Sequence, residues 1–566
     1  MALRCGTIPT LALVLSLVLC RKSIFREEII MKHNIFRLMA LLMALLMCFA
    51  LLVACVSEEP DKPSDKPGTD DPAEKPEDPE KPEDPECNGN HTDANNDGKC
   101  DNCDAAMKPV KEEVAHSVPE GTNFADELKN IVNVLHYTTG DHEAYNPWDE
   151  ICPSTGMEVS PGDYVGDMIF DRTAWLEENY GIVMGCEYIP HGDQFINAVR
   201  TEWQTGSRDY QLVDYFAFGA QKVMGQEYFL NMADIEYIDF EDPWWIDSAI
   251  DAFRLGDYVE FGASDMLLLD KGATTLVYFN IGMAEDLGID DLYDLARNNE
   301  WTLDVLVECA ELALEDNGDD VWDHNDIYGI SNGDDPVHNL YIGSGNHFIT
   351  TNEDGEFYYS YCSDDGTAEV MIDILERVMY ADWYWNSWIK RDLGSDNQPK
   401  FNNGQALFSF GKAKNCLTMR DMEADYGILP IPMYDEDQGQ YYSQVSNYHD
   451  SLFAIPMSAS GNTEIIGAAI ELLSHYSYYN IYDNFFEIII QNRGSRDAES
   501  KEILDIIFDT RTYDMGLLYD PEGVSDKVLR YTNTGETGVV SFWEGFSSKL
   551  EVAIENLNEL MYKYND

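Results

Sequence analysis

From about residue 125 to residue 566, short apolar runs alternate with stretches of helical spacing. "IVNVLHYTT" (131–139) is β-branched and apolar and reads as a buried strand. "VGDMIFDRTAWLEENYG" (165–181) carries its apolar residues at helical intervals and stops at a glycine. "IVMGCEYI" (182–189) is a second strand, "DQFINAVRTEWQTG" (193–206) a second glycine-terminated helix, and "YQLVDYFAF" (210–218) a third strand. Strand, helix, strand, helix, strand predicts an α/β domain with a largely parallel sheet. Farther on, "TTLVYFNI" (274–281) and "DSLFAIPM" (450–457) are strands. "TLDVLVECAELALED" (302–316), "NTEIIGAAIELLSHYSYY" (462–479) and "VAIENLNELMYKY" (552–564) are helices. No internal repeat is present.

The pattern breaks upstream of residue 125. Residues 56–86 are Pro, Asp, Glu and Lys with almost nothing apolar to bury, so they form an extended tether. Before them, 31–54 pair a basic start (Lys32, Arg37) with an apolar run ending in Leu52-Val53-Ala54-Cys55. Small residues ahead of a cysteine suit lipoprotein signal cleavage, and Cys55 is the expected lipidated residue. In 1–30, Leu19 precedes Cys20, the wrong residue for cleavage, so Met31 is the expected start. Residues 105–124 form a short connector.

Charge narrows the function. The formal net charge is −69, from 36 Lys+Arg against 105 Asp+Glu. Such a surface repels phosphate backbones, which excludes nucleic-acid binding. It also makes chance carboxylate pairs common, so no pair marks a general acid and base. The motifs H-E-x-x-H and G-x-S-x-G, the P-loop and the dinucleotide fingerprint are all missing. The expectation is a non-enzyme without an organic cofactor. Five cysteines of the large region (Cys152, Cys186, Cys309, Cys362, Cys416) lack metal spacing and read as buried thiols.

One segment invites metal. Cys87, His91, Cys100 and Cys103 have C-x3-H-x8-C-x2-C spacing, which suits a closed, structural zinc site. Interleaved with them, Asp93, Asn95, Asp97, Lys99, Asp101 and Asp104 occupy positions 1, 3, 5, 7, 9 and 12 of a calcium loop, with Gly98 at position 6. The two ligand sets share no residue, so Zn2+, Ca2+ or both are expected, as ions that fold a small module. A disulfide beside a solvated acidic loop is the competing reading, and it leaves one cysteine over.

The large region resembles extracellular solute-binding proteins of family 1, the maltose-binding-protein-like components of ABC importers. The resemblance is carried, in chain order, by "GDYVGDMIFDRTAWLEENYGI", "VRTEWQTGSRDYQLVDY", "DPWWIDSAI" (242–250), "GATTLVYFNIGMAEDLGI" (272–289), "FNNGQALFSFG" (401–411), "YGILPIPMYDEDQGQYYS" (426–443) and "DSLFAIPMSA" (450–459). It implies a hinged, two-lobed α/β fold of the type II periplasmic-binding-protein class, with the ligand between the lobes. Lobe 1 is expected at about 125–279 and 454–490, and lobe 2 at about 281–452 with the C-terminal part. The crossings are then near Phe279-Asn280 and Phe453-Ala454. The implied function is lipid-anchored capture of a small solute, a sugar or oligosaccharide first, for permease subunits. The implied setting is a monomer on the outer face of a Gram-positive membrane. A peptide or cationic solute, a surface glycan-binding lipoprotein without transport, and a glycosidase are the alternatives.

Expected ligand contacts are Asp214 and Tyr215 where "YQLVDY" runs out, Trp244 and Trp245 after a proline, Trp383 and Trp385 in "ADWYWNSW", and Arg420 in "LTMRDME". Flat aromatic faces stack on sugar CH faces, and arginine offers paired donors to hydroxyls. A second loop, Glu315, Asn317, Asp319, Val321, Asp323 and Asp326, repeats calcium positions 1 to 12, but Asp320 stands where glycine is usual.

Overall fold

The computed structural model describes residues 113–125, 131–137, 150–151, 164–189, 192–220, 222–289, 291–361, 366–390, 398–417, 419, 422, 424–482, 485, 499–520 and 522–565. The chain divides into two compact units, Met1–Pro109 and Val110–Asp566, and the described residues all belong to the second. Cys55, the Cys87–Asp104 motif and Arg420 therefore lie outside them. Among the described residues, no helix is long and apolar enough to cross a membrane.

The first sheet is built from β1 (Ile131–Tyr137), β2 (Val183–Ile189) and β3 (Leu212–Phe216). Helices α1 (Tyr164–Tyr180) and α2 (Gly192–Thr205) connect them. Both helices stop where the sequence supplies glycine. Gly181 and Gly206 have φ of 70° and 64°, and each N–H closes on a carbonyl of the last turn, Glu177 and Glu202. β1 runs parallel to β2 (Ile131 opposite Val183) and to β3 (Val134 opposite Leu212). The period of two splits the side chains between the faces. Val132, Val134 and Leu212 enter one buried cluster, Leu135 and Val213 another.

The second sheet contains β4 (Thr275–Asn280), β5 (Tyr328–Asn332), β6 (Tyr384–Asn386), β7 (Ala406–Lys412) and β8 (Tyr426–Leu429). Its order is β8-β4-β7-β5-β6. β9 (Ser451–Ala454) then returns to the first sheet, whose order is β9-β3-β1-β2. Both sheets thus read second, first, third strand, then a strand delivered from the other lobe. That strand, β9 in lobe 1 and β4 in lobe 2, is the antiparallel one in each case. This reciprocal exchange is the topology of a two-lobed, periplasmic-binding-protein-like α/β fold.

The passages between lobes are not where the sequence places them. Phe279-Asn280 and Phe453-Ala454 sit within β4 and β9, each already inside its own sheet. The chain changes lobes just before these strands, through 269–274 and 443–450. There Thr274 bridges Val445, Ser446 N–H donates to Ala273 O (3.1 Å), and Thr275 Oγ1 donates to Gln444 O (2.9 Å). Arg511–Thr512 adds a third segment, parallel to Ser443–Gln444. The strand signal in the sequence extends through the passage, because buried crossings are as apolar as the strands they feed.

A buried ion network ties these segments together. Lys271 Nζ lies 2.8 Å from Asp265 and 3.0 Å from Asp270, and Arg511 pairs with Asp270 from the third segment. Lys271 and both aspartates are almost wholly shielded from solvent. Beyond the passages, Thr463–Asn480 packs into lobe 1, and Glu499–Asp509 packs beside β8 in lobe 2. The last helix, Ser547–Asn565, returns to lobe 1: Tyr564 stacks on Tyr258 at 4.0 Å, and Leu560 covers Gly225.

Candidate functional site

The carboxyl ends of the parallel strands of both lobes face the passages, where a doubly wound fold places its ligand. A cavity of about 300 Å³ lies there, at the lower end of the range for small-molecule sites. Each wall has a structural origin. β5 ends at Asn332 and leads into Pro336–Gly343, whose first turns supply His338 and Asn339, with Asp335 just before. The last residue of β7 supplies Lys412, the 443–450 passage supplies Gln444, Ser446, Asn447, Tyr448 and His449, and the helix Val524–Tyr531 supplies Asp526 and Leu529.

Outside the lining itself, lobe 1 places Phe218 two residues past β3. Its N–H donates to Asn447 O at 2.9 Å, and Ala217 N–H donates to Asp450 O at 3.0 Å, so the strand end is pinned to the passage. The Phe218 ring stacks on Tyr448 with centroids 4.5 Å apart and 26° between planes. It remains 39% exposed, a large apolar face left open beside a polar cavity.

The polar groups are held in place by neighbours. Asn339 Nδ2 donates to Gln444 Oε1 (2.7 Å), Asn447 Nδ2 donates to Leu517 O (2.8 Å), and Tyr448 OH donates to Asp526 (2.8 Å). His338 Nε2 lies 3.1 Å from Ser525 O, which makes that nitrogen the N–H donor. Lys412 faces Asp335 at 3.5 Å. Burial, with the charges of Lys412 and Lys414 added, holds His449 well below the usual histidine range. Burial and the neighbouring charge of Lys412 bring Lys414 down to about 7.

Behind the cavity lies a second acidic layer. Glu150 accepts from the N–H groups of Leu268 (2.6 Å) and Leu269 (2.8 Å) and from Ser451 Oγ (2.6 Å). Burial and the charge of Asp214 push it up to about 7. His136 Nδ1 meets Asp214 Oδ2 at 2.5 Å. Burial opposes the protonated ring, but the Asp214 charge prevails and raises His136 to about 9. These groups brace the strand ends and do not line the cavity.

None of the six described contacts expected from sequence lines this cavity. Asp214 is consumed by His136, and Tyr215 turns into the lobe 1 core and stacks on Phe195 at 4.4 Å. Trp244 is fully buried, its Nε1 donating to Glu471 at 3.0 Å, and Trp245 packs against Phe240 and Phe453. Trp383 lies in the lobe 2 core, and Trp385 sits against Tyr328 beneath the ammonium of Lys400. The turn after Pro243, in which Trp245 N–H donates to Asp242 O, folds both indoles inward.

In the 315–326 loop, Asp320 adopts the left-handed conformation (φ 60°) that position 6 of a calcium loop demands. Yet the Asp326 carboxylate, which would close such a site, accepts from the loop's own Asn317 N–H (2.9 Å) and Asp323 N–H (2.6 Å). Among the described residues, no three His, Cys, Asp or Glu side chains converge as a metal site. The loop as it stands does not fit a bound cation.

Among solved structures, the chain is similar to an ABC substrate-binding protein from Listeria monocytogenes in complex with cycloalternan (10% identity, TM-score 0.45, covering 77% of this chain and 98% of that one). It is also similar to maltose-bound MalE3 from T. maritima (14%, 0.43, 76% and 100%). A third likeness is to a sugar transporter from Rhizobium etli in an open conformation (13%, 0.47, 76% and 99%). No protein-family model matches the chain, and no curated protein matches it.

Proposed function

We propose that this chain is a lipid-anchored extracellular binding protein that captures a saccharide between its lobes for an ABC importer. The observation that supports it best is the cleft: an exposed Phe218 face stacked on Tyr448 of the cavity wall, beside amides clamped by their neighbours. An aromatic face takes the CH side of a sugar ring, and fixed amides take its hydroxyls. Binding needs only closure around the ligand. A cationic solute fits less well, because Asp335 and Asp526 already face Lys412 and Tyr448.

A thermal-shift screen of oligosaccharides, peptides and polyamines is the direct test. Ligand at about 100 times its Kd adds about 2.7 kcal/mol of stability, a large shift for a true ligand. Stabilisation by peptides or polyamines alone rejects the saccharide reading. Phe218→Ala, in protein with a native melting curve, is expected to weaken the best saccharide by about 2 kcal/mol, roughly thirtyfold. Titration calorimetry gives the number, and unchanged affinity removes Phe218 as the platform.

The anchor rests on sequence, and its test is separate. Labelled fatty acid is expected to enter the wild-type protein in a bacterial host. Cys55→Ala should abolish the label and release protein into the medium. An unlabelled mutant that stays on the membrane points to an uncleaved span.

A further inference from the structure

The chain has 36 Lys+Arg against 105 Asp+Glu, so a basic group in its cleft is a departure from its own composition. Lys412 closes β7 and lines the cavity with only 14% of its side chain exposed. Lys414 follows two residues later, 5% exposed. His338 and His449 line the same cavity. The two acids of the wall are each engaged: Asp335 faces Lys412 at 3.5 Å, and Asp526 takes the Tyr448 hydroxyl at 2.8 Å and faces Arg530 at 3.7 Å.

Two effects compete for an anionic ligand. The acidic surface repels it, but at physiological salt the Debye length is about 8 Å, so that field is largely screened. A charge pair formed inside the half-buried cavity is screened far less. The local ammonium therefore decides the preference, and the surface charge chiefly slows arrival.

We propose that the cleft selects a saccharide bearing an anionic substituent, a carboxylate of the uronic-acid class or a sulfate ester, seated on Lys412 with its ring on Phe218. This rests on the saccharide reading of the cleft. A neutral sugar offers Lys412 no charge beyond that of Asp335, which is itself half exposed, whereas an anion in the cavity gains a charge-assisted hydrogen bond from the ammonium.

The experiment is calorimetry on the full chain with uronate oligomers (galacturonate, glucuronate and mannuronate), their sulfated counterparts, and neutral oligomers of the same lengths. The expected result is a uronate or sulfated oligomer binding at least tenfold tighter than its neutral partner. Lys412→Met, checked for a native melting curve, should remove that preference. Uronate and sulfate arms identify the anion. Neutral oligomers binding as tightly as charged ones, or a preference that survives Lys412→Met, overturns the inference and leaves the saccharide reading intact. If no saccharide of any kind binds, both fail together.

Discussion

Lys271→Met is expected to lower the unfolding free energy by about 3–5 kcal/mol, as removal of one partner from a buried ion group does. Methionine nearly matches the lysine stem, so packing is largely kept and the loss is electrostatic. Among the described residues, Asp265 then has no cation within 4 Å, and Asp270 keeps only Arg511. Burial already raises Asp265 from the ordinary carboxylate range, so its ionised form has little in reserve. Asp265→Asn added to Lys271→Met should recover part of the loss, since the uncompensated charge is then gone. Urea unfolding followed by tryptophan fluorescence measures both, since buried tryptophans such as Trp244 and Trp301 lie in both lobes. A loss under 1 kcal/mol would mean that water or rearrangement replaces the lysine, and the network would not be what fastens the passages.

The elements that the sequence predicts well are those set by local chemistry. Gly181 and Gly206 end α1 and α2 because both ends need a left-handed residue, a demand visible in isolation. The β-branched run 131–137 behaves likewise. The passages escape detection because Thr274 and Val445 differ from strand residues only in their partners, which are each other.

The site was harder to see, for a related reason. Tryptophan is the largest apolar side chain, and a domain with a sizeable core uses it there first, as Trp244, Trp301 and Trp383 show. Phe218 is no more conspicuous in sequence than Phe216, yet Phe216 is 5% exposed and Phe218 39%. The difference arises where Ala217 bonds to Asp450 and turns the chain out of the sheet. A usable signal did exist: Lys412 ends an apolar strand in a chain poor in lysine, at the carboxyl end where ligands sit.

Asp450→Asn is expected to stabilise the protein at neutral and alkaline pH and to have little effect in acid. Asp450 lies on the 443–450 passage, 1% exposed, and its Oδ1 has no hydrogen-bond partner among the described residues. Burial pushes its carboxyl well above the usual range, and the charges of Asp270 and Glu150 add to this, opposed by a backbone hydrogen bond from Ser451 and by the charge of Lys271. Tyr513, whose hydroxyl burial also raises, sits in the same field. The folded protein therefore holds the Asp450 proton at pH values where the unfolded chain has released it. Stability from this group is complete below the unfolded pKa, about 4, and falls as pH rises toward the folded value, by about 1.4 kcal/mol per pH unit. Glu150, raised to about 7, contributes the same sign over its own window, so wild-type stability should decline from mildly acidic to neutral pH. Asparagine resembles the protonated acid and cannot ionise. The difference between Asp450→Asn and wild type should accordingly be near zero at pH 4 and grow through pH 7, read as melting temperature in matched buffers. A constant difference across that range would show that Asp450 does not titrate on unfolding, and a mutant less stable at pH 8 would show that its ionised form is held by a partner in solution.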